Sequence, residues 1–140
     1  MNKFKLNQSL KILEQQKSTL PIALAEATQQ YFNKSFSNQA WNGYPWQIRK
    51  PQKPVNTKPI LYKTGALKNA VSKSLVKTDF KTLKFQVQNI PYAAVHNNGL
   101  KAGRGRCFQM PQRQYMGHTE ELANIQKKII KTYISKLWTK

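Results

Sequence analysis

The stretch TEELANIQKKIIKTYISKLW, residues 119–138, has the strongest periodic pattern in the chain. Apolar residues recur there every three or four positions, which predicts an amphipathic C-terminal helix over residues 118–138. Acidic residues at its start and a lysine in its last turn suit the helix dipole. The apolar stripe consists of Leu122, Ile125, Ile129, Tyr133 and Leu137, widened by Ile130, Ile134 and Trp138. We expect this helix to pack on a sheet formed by earlier segments.

Two short segments before it alternate apolar and polar residues, as strands do. They are SKSLVKTD and TLKFQVQN, residues 72–79 and 82–89, joined at residues 79–81. Alternation of this kind predicts a β-hairpin with lysines on its solvent-facing side.

The N-terminal part, residues 1–36, has the spacing of helices. Its first apolar stripe consists of Leu6, Leu10 and Leu13. Because a proline is tolerated in the first turn of a helix, Pro21 predicts a break near Ser18 and a second helix capped by Ser18 or Thr19. The core face of that second helix would consist of Leu24, Ala27, Tyr31 and Phe32.

The middle of the chain has dense turn signals. Residues 37–59 contain four prolines and an Asn-Gly pair, which predicts an extended loop whose aromatic residues dock mainly on the chain's own fold. Residues 60–117 form the predicted hairpin core, in which Thr64 caps a short helix with Leu67 inward. Residues 100–106 read as a flexible, glycine-rich basic loop.

These elements predict a single α+β domain over residues 1–140, with N-terminal helices and a C-terminal amphipathic helix packed on a small antiparallel β-sheet. The one cysteine, Cys107, excludes an intramolecular disulfide and a cysteine-based metal cluster. No apolar run suits a membrane span or a signal peptide, so we expect synthesis in the cytoplasm and no membrane partner.

Charge is the strongest compositional signal: 24 Lys and Arg against 5 Asp and Glu give a net charge of +19. A basic excess of this size fits nucleic acid, an acidic membrane surface or an acidic protein partner. Lysines that merely solvate the surface explain it equally well. Lys101, Arg104 and Arg106 lie in the glycine-rich loop and are candidates for non-specific contact with phosphate or with an acidic protein.

Catalysis has little material in this sequence. Cys107, His96 and His118 are the candidate nucleophile and bases, but neither histidine lies in a known catalytic or metal-binding spacing. The five carboxylates supply paired acid and base chemistry poorly. We therefore assign no catalytic, cofactor-binding or metal-binding residue.

Four short motifs occur in a characteristic order: GYPW, LYKTGALKNAV, PYAAVHNNG and MPQRQYMG. In this order and spacing they resemble the phage virion morphogenesis family, which comprises tail-completion or neck proteins of tailed phages and their prophage relatives. The matching residues are Gly43, Pro45 and Trp46; Thr64, Gly65 and Leu67; Tyr92, Ala93, His96 and Gly99; and Pro111, Arg113, Tyr115 and Gly117. Three positions depart from the pattern, because Tyr115 replaces a phenylalanine, Met116 replaces a leucine, and Ala70 stands where serine is common.

The resemblance implies a non-enzymatic structural protein of the virion that works as a ring of identical subunits at the head-to-tail junction or tail end. Its expected partners are further copies of itself, other neck, portal or tail proteins, and DNA in the channel. Non-specific nucleic-acid binding is the alternative. The hairpin would offer edges for subunit pairing, and Arg113 would pair with a carboxylate or backbone carbonyls across a subunit boundary. His96 reads as a hydrogen-bonding residue that closes a helical turn before Asn98-Gly99.

Overall fold

The computed structural model describes residues 3–50, 57–105 and 107–138. The helices are α1 (Lys3–Asn38), α2 (Ala66–Ser72), α3 (Ala93–Asn98) and α4 (Glu120–Trp138). The strands are β1 (Ala40–Trp41), β2 (Tyr44–Pro45), β3 (Leu75–Thr78), β4 (Leu83–Phe85), β5 (Lys101–Ala102) and β6 (Phe108–Gln109). The predicted α+β class is confirmed.

The N-terminal part is one helix, so the predicted break near Ser18 is wrong. α1 continues through Pro21, whose side chain is buried. The hydroxyls of Ser18 and Thr19 donate backwards to the carbonyl of Gln15, at 2.9 Å each, whereas a capping hydroxyl accepts from the N–H groups that follow it. Pro21 also lines a cavity together with residues 79–83 at the tip of the β3–β4 hairpin, so it lies where tertiary structure covers α1, and burial of its ring offsets part of the cost of the hydrogen bond that proline removes.

The β structure consists of three separate antiparallel ladders of two strands each. The predicted hairpin is β3–β4, which pairs Thr78 with Leu83 and Leu75 with Phe85 and contains a bulge. Two further ladders lie wholly or partly in segments that were predicted to be loops. β1–β2 forms within the 37–59 segment, and β5–β6 includes Lys101 of the predicted 100–106 loop.

Helices α1 and α4 pack together through polar as well as apolar contacts. Thr119, just before α4, accepts a hydrogen bond from the N–H of Leu122 at 3.1 Å and donates its hydroxyl to the Tyr31 oxygen at 3.0 Å. The Tyr31 hydroxyl in turn donates to Glu121 at 3.1 Å. One residue therefore caps α4 and fixes its start against α1.

Aromatic residues from distant segments build the core. Phe36 of α1 meets the Trp46 ring edge to face with centroids 5.6 Å apart, and Phe32 meets Phe85 of β4 in the same way at 5.5 Å. The ring of Tyr115 also packs on the ring of Phe36. The buried set is completed by Tyr31, Leu67, Val71, Ala93 and Leu122. Trp46 therefore docks on the chain's own fold as predicted, whereas Tyr44 is 76% exposed.

Candidate functional site: a basic cleft

Hydrogen bonds join three of the four motifs at residues 111–117, which lie next to α3. The backbone N–H of Arg113 donates to the carbonyl of His96 at 2.8 Å, and the Tyr115 hydroxyl donates to the carbonyl of Ala93, also at 2.8 Å. The indole of Trp46 donates to the carbonyl of Gln114 at 2.7 Å. Residues separated by up to 70 positions in sequence thus form one hydrogen-bonded unit.

Gly99 allows the run to pass close to α3. It ends α3 with a left-handed φ of 63°, and a Cβ built on it would lie 2.9 Å from the Cβ of Gln112. Both the dihedral angle and the space therefore favour glycine at this position. Asn97, in the last turn of α3, then accepts from the N–H groups of Tyr115 and Met116 at 3.0 Å each.

The remaining motif residues occupy turns or the core. Gly43 lies in the turn between β1 and β2 with a φ of 82°, and Pro45 lies in β2. Gly65 precedes α2 with a φ of 79°, and the Thr64 hydroxyl accepts from the N–H of Ala66 at 3.3 Å. Leu67 is buried, while Pro111 and Gly117 are half-buried at the two ends of the 111–117 run.

A cleft of about 550 Å³ opens beside this unit, between the segment 60–67 and α3. The residues that line it, taken from three of the motifs and their neighbours, are Arg49, Ile60, Leu61, Tyr62, Lys63, Thr64, Gly65, Ala66, Leu67, Tyr92, His96 and Arg113. Its lining is apolar and aromatic with several cationic groups, a composition that suits the binding of a specific ligand or a side chain of a partner. We call it the basic cleft.

Several hydrogen bonds hold the 58–63 wall of the basic cleft. The Arg49 guanidinium donates to the carbonyls of Lys58 and Pro59 at 2.7 and 2.8 Å. The Gln39 side chain both donates to and accepts from the backbone of Ile60. Leu61 has a φ of 60°, which is uncommon for a residue other than glycine, so the wall holds its backbone in an unfavourable conformation.

Arg113 is the most deeply placed charge of the basic cleft, with only 7% of its surface exposed. Its Nε donates to the carbonyl of Gln47 at 3.0 Å. Burial lowers the pKa of Arg113, and the nearby Arg49 lowers it further. This carbonyl belongs to the same chain, to the residue after Trp46, whereas the pairing of Arg113 across a subunit boundary stays a prediction.

His96 is half-buried and its Nδ1 has no hydrogen-bond partner among the described residues. Burial lowers the pKa of His96, and the positive charge of Arg113 adds to the effect. The helical turn is closed by the His96 backbone, whose N–H donates to Tyr92 and whose carbonyl accepts from Arg113. The prediction of a turn is therefore correct, but backbone groups and Gly99 close it without a hydrogen bond from Nδ1.

The basic loop residues are separate from this cleft. Lys101 is exposed in β5, Arg104 is exposed in the bend that follows, and neither lines the basic cleft. Arg106 lies outside the described residues. Cys107 is an exposed free thiol that does not line the cleft with His96, and His118 is exposed.

Within the described residues, no three histidine, cysteine or acidic side chains are grouped so as to hold a metal ion. In the same part of the chain, no helix combines the length and apolar character needed to cross a bilayer.

Sequence reasoning missed three residues that shape the site. Arg49 and Lys63 were not distinguished from the other basic residues, and Asn97 was given no role. A signal for Asn97 exists in hindsight, since its side-chain oxygen can accept backbone hydrogen bonds next to a glycine-ended helix. No local pattern marks Arg49, because its role depends on a contact with residues about ten positions later.

Comparisons with known proteins agree with the motif pattern. A family model described as the phage virion morphogenesis family matches residues 5–135. Neither the comparison with curated proteins nor that with solved structures gave a match. The family match covers almost the whole chain, including all four motifs and the helices that flank them. The chain therefore belongs to the phage virion morphogenesis family.

Proposed function

We propose that this chain is a structural, non-enzymatic assembly protein that completes the phage tail or connects it to the head, and that it works as a homo-oligomeric ring. The observation that carries the proposal is the family match over residues 5–135. Its place in the particle would be the head–tail junction or the tail end. Its partners would be further copies of itself and other neck, portal or tail proteins.

Two surfaces support self-association. One face of α1 carries Leu6, Leu10 and Leu13, each at least 40% exposed. In the single chain this apolar stripe is therefore exposed to water. Each of the three ladders also has only two strands, which leaves backbone groups available at their edges. Both features are typical of chains that bind copies of themselves or closely fitted partners.

The solution mass tests the ring directly. We expect sedimentation equilibrium to give a mass several times that of the 16.2 kDa chain, in the free protein or after addition of neck or tail proteins. Replacement of Leu6 and Leu10 by glutamine should lower the mass, whereas replacement of the exposed Ile134 should leave it unchanged. A monomer under all these conditions would contradict the ring.

The biological role is tested by deletion and complementation. A phage that lacks this gene should give few infectious particles, and the wild-type gene supplied in trans should restore them. Alanine at Lys101, Arg104 and Arg106 tests the loop, because wild-type titres with that variant would exclude a role for it in tail joining.

Non-specific nucleic-acid binding is the second candidate, favoured by the net charge of +19. It predicts tight binding of arbitrary DNA by a monomer or dimer, with an affinity that falls steeply as salt rises. Weak DNA binding at physiological salt, together with a normal requirement for the gene in virion assembly, would favour the structural role.

A further inference from the structure

The basic cleft contains positive charge that no acidic side chain of the described residues balances. All five acidic side chains are in described residues: Glu14, Glu26, Asp79, Glu120 and Glu121. None of them lines the cleft. The one ion pair among the described residues joins Lys77 to Asp79, which lies at the tip of the β3–β4 hairpin. The cationic groups of the cleft are therefore available to bind an anion from outside the chain.

Arg113 has the geometry to receive that anion. It lines the basic cleft, is 7% exposed, and uses only its Nε, which donates to Gln47. The N–H groups on its two terminal nitrogens form no hydrogen bond within the described residues, and paired N–H groups of this kind match the two oxygens of a carboxylate. These terminal N–H groups are not among the fully buried atoms that lack a partner, so they are open to the cleft and accessible to such a ligand.

The groups around Arg113 also favour the binding of an anion. Arg49 is close enough to Arg113 for their two charges to repel, and Lys63 is exposed at the rim. A bound carboxylate would relieve this repulsion and lie near the unpartnered Nδ1 of His96. Apolar and aromatic residues, among them Tyr62 and Tyr92, would contact the rest of the ligand.

We propose that the basic cleft binds an acidic segment of another virion protein, with a Glu or Asp carboxylate held by the terminal N–H groups of Arg113. Charge favours an acidic partner over a second copy of this chain, because the chain has few carboxylates and copies at +19 repel one another. A concave cleft with its cation buried at the bottom suits a side chain better than the backbone of a nucleic-acid duplex. The inference rests on the proposed assembly role, for which it specifies the chemistry of the partner.

Peptide binding tests this inference with the full-length protein. The probe is a short fluorescein-labelled peptide rich in glutamate, and fluorescence anisotropy is read at about 0.15 M salt to screen diffuse attraction to surface lysines. We expect the glutamate peptide to bind and the matched glutamine peptide not to bind. Arg113→Gln should weaken binding at least about tenfold, because a buried charge pair is lost.

The matched control is Lys128→Gln, which removes the same charge from the exposed face of α4 and should change the affinity less than about twofold. Arg113→Lys keeps the charge but loses the paired N–H groups, so we expect it to recover only part of the affinity. If Arg113→Gln fails to fold, Lys63→Gln and the cleft-filling Thr64→Trp replace it, and both should weaken binding. A peptide-dependent shift of the Arg113 Nε–H signal in the NMR spectrum locates the contact.

Equal weakening by Arg113→Gln and Lys128→Gln would overturn the inference, since binding would then be diffuse. Tighter binding of single-stranded oligothymidylate with the same dependence on Arg113 would also overturn it, in favour of a phosphate site. Absence of peptide binding in a protein that still complements the gene deletion would contradict the cleft and leave the assembly role intact. Binding that requires Arg113, in a protein whose deletion does not affect virion yield, would contradict the assembly role alone.

Discussion

At the scale of single residues, Arg113 and Tyr115 connect the 111–117 run to the other motif segments. Arg113 lines the basic cleft, and the Tyr115 hydroxyl donates to the carbonyl of Ala93 in the core. Burial raises the pKa of Tyr115 to about 12, and the nearby Tyr92 contributes less. The tyrosine therefore remains a neutral hydrogen-bond donor at any physiological pH.

Replacement of Tyr115 by phenylalanine measures the value of that hydrogen bond. The ring would still fill the core beside Phe36, so we expect a loss of about 1 kcal/mol in the free energy of unfolding, as for one buried hydrogen bond. Urea denaturation followed by tryptophan fluorescence gives the number. Tyr44→Phe is the matched control at a 76% exposed position, and its effect should be within about 0.5 kcal/mol of zero. Equal effects of the two substitutions would contradict this role of Tyr115.

His96 makes the stability of the fold depend on pH in the acidic range. Burial, and then the charge of Arg113, lower the pKa of His96 in the folded protein, so the unfolded chain binds a proton more readily. The stability contributed by neutral His96 is thus complete above the pKa of an unfolded histidine, about 6.5, and is lost as pH falls through the lower folded value.

We therefore expect the urea midpoint of the wild-type protein to fall more between pH 7.5 and pH 5 than that of His96→Gln, in paired titrations at constant salt. The glutamine variant should also fold, because backbone groups close the turn. A decline of the same size in both proteins would show that the histidine does not carry the effect.

At the scale of elements, the local sequence pattern predicted those helices and the hairpin that have one face against the core. The amphipathic stripe gave α4, the alternating segments gave β3 and β4, and Asn98-Gly99 marked the end of α3. The continuity of α1 across Pro21 was not predictable, because it depends on tertiary burial of this residue near the hairpin tip, about 60 positions later. The basic cleft was not predictable for a similar reason. Its motifs are recognisable in the sequence, but the hydrogen bond between Arg113 and Gln47 joins residues that are far apart in the chain.

Substitution of Pro21 distinguishes one helix from two. In the interior of a continuous helix, Pro21→Ala restores the N–H that proline lacks, so we expect the free energy of unfolding to rise by about 1–3 kcal/mol, reduced by whatever packing the ring contributes. In a two-helix arrangement, the same change would remove a favourable first-turn residue and lower stability. Ile22→Ala, at a 51% exposed position of the same helix, is the control and should have little effect.

At the scale of the whole molecule, the protein is a core of aromatic residues inside a strongly cationic surface. The charge of +19 with only five acidic residues disfavours close packing of copies unless contacts or acidic partners compensate for it. Under the proposed function, such compensation would come from the exposed leucines of α1, the edges of the ladders and the basic cleft. Each of these surfaces suits a protein that binds other proteins, as the proposed function requires.

Electron microscopy of lysates from a phage that lacks this gene tests the central claim most directly. The measured quantity is the fraction of heads that carry a joined tail, with and without the wild-type gene supplied in trans. Our account predicts that heads and tails accumulate separately, or with incomplete tail ends, and that the wild-type gene restores joined particles. A normal fraction of complete, infectious particles in the absence of the gene would contradict it.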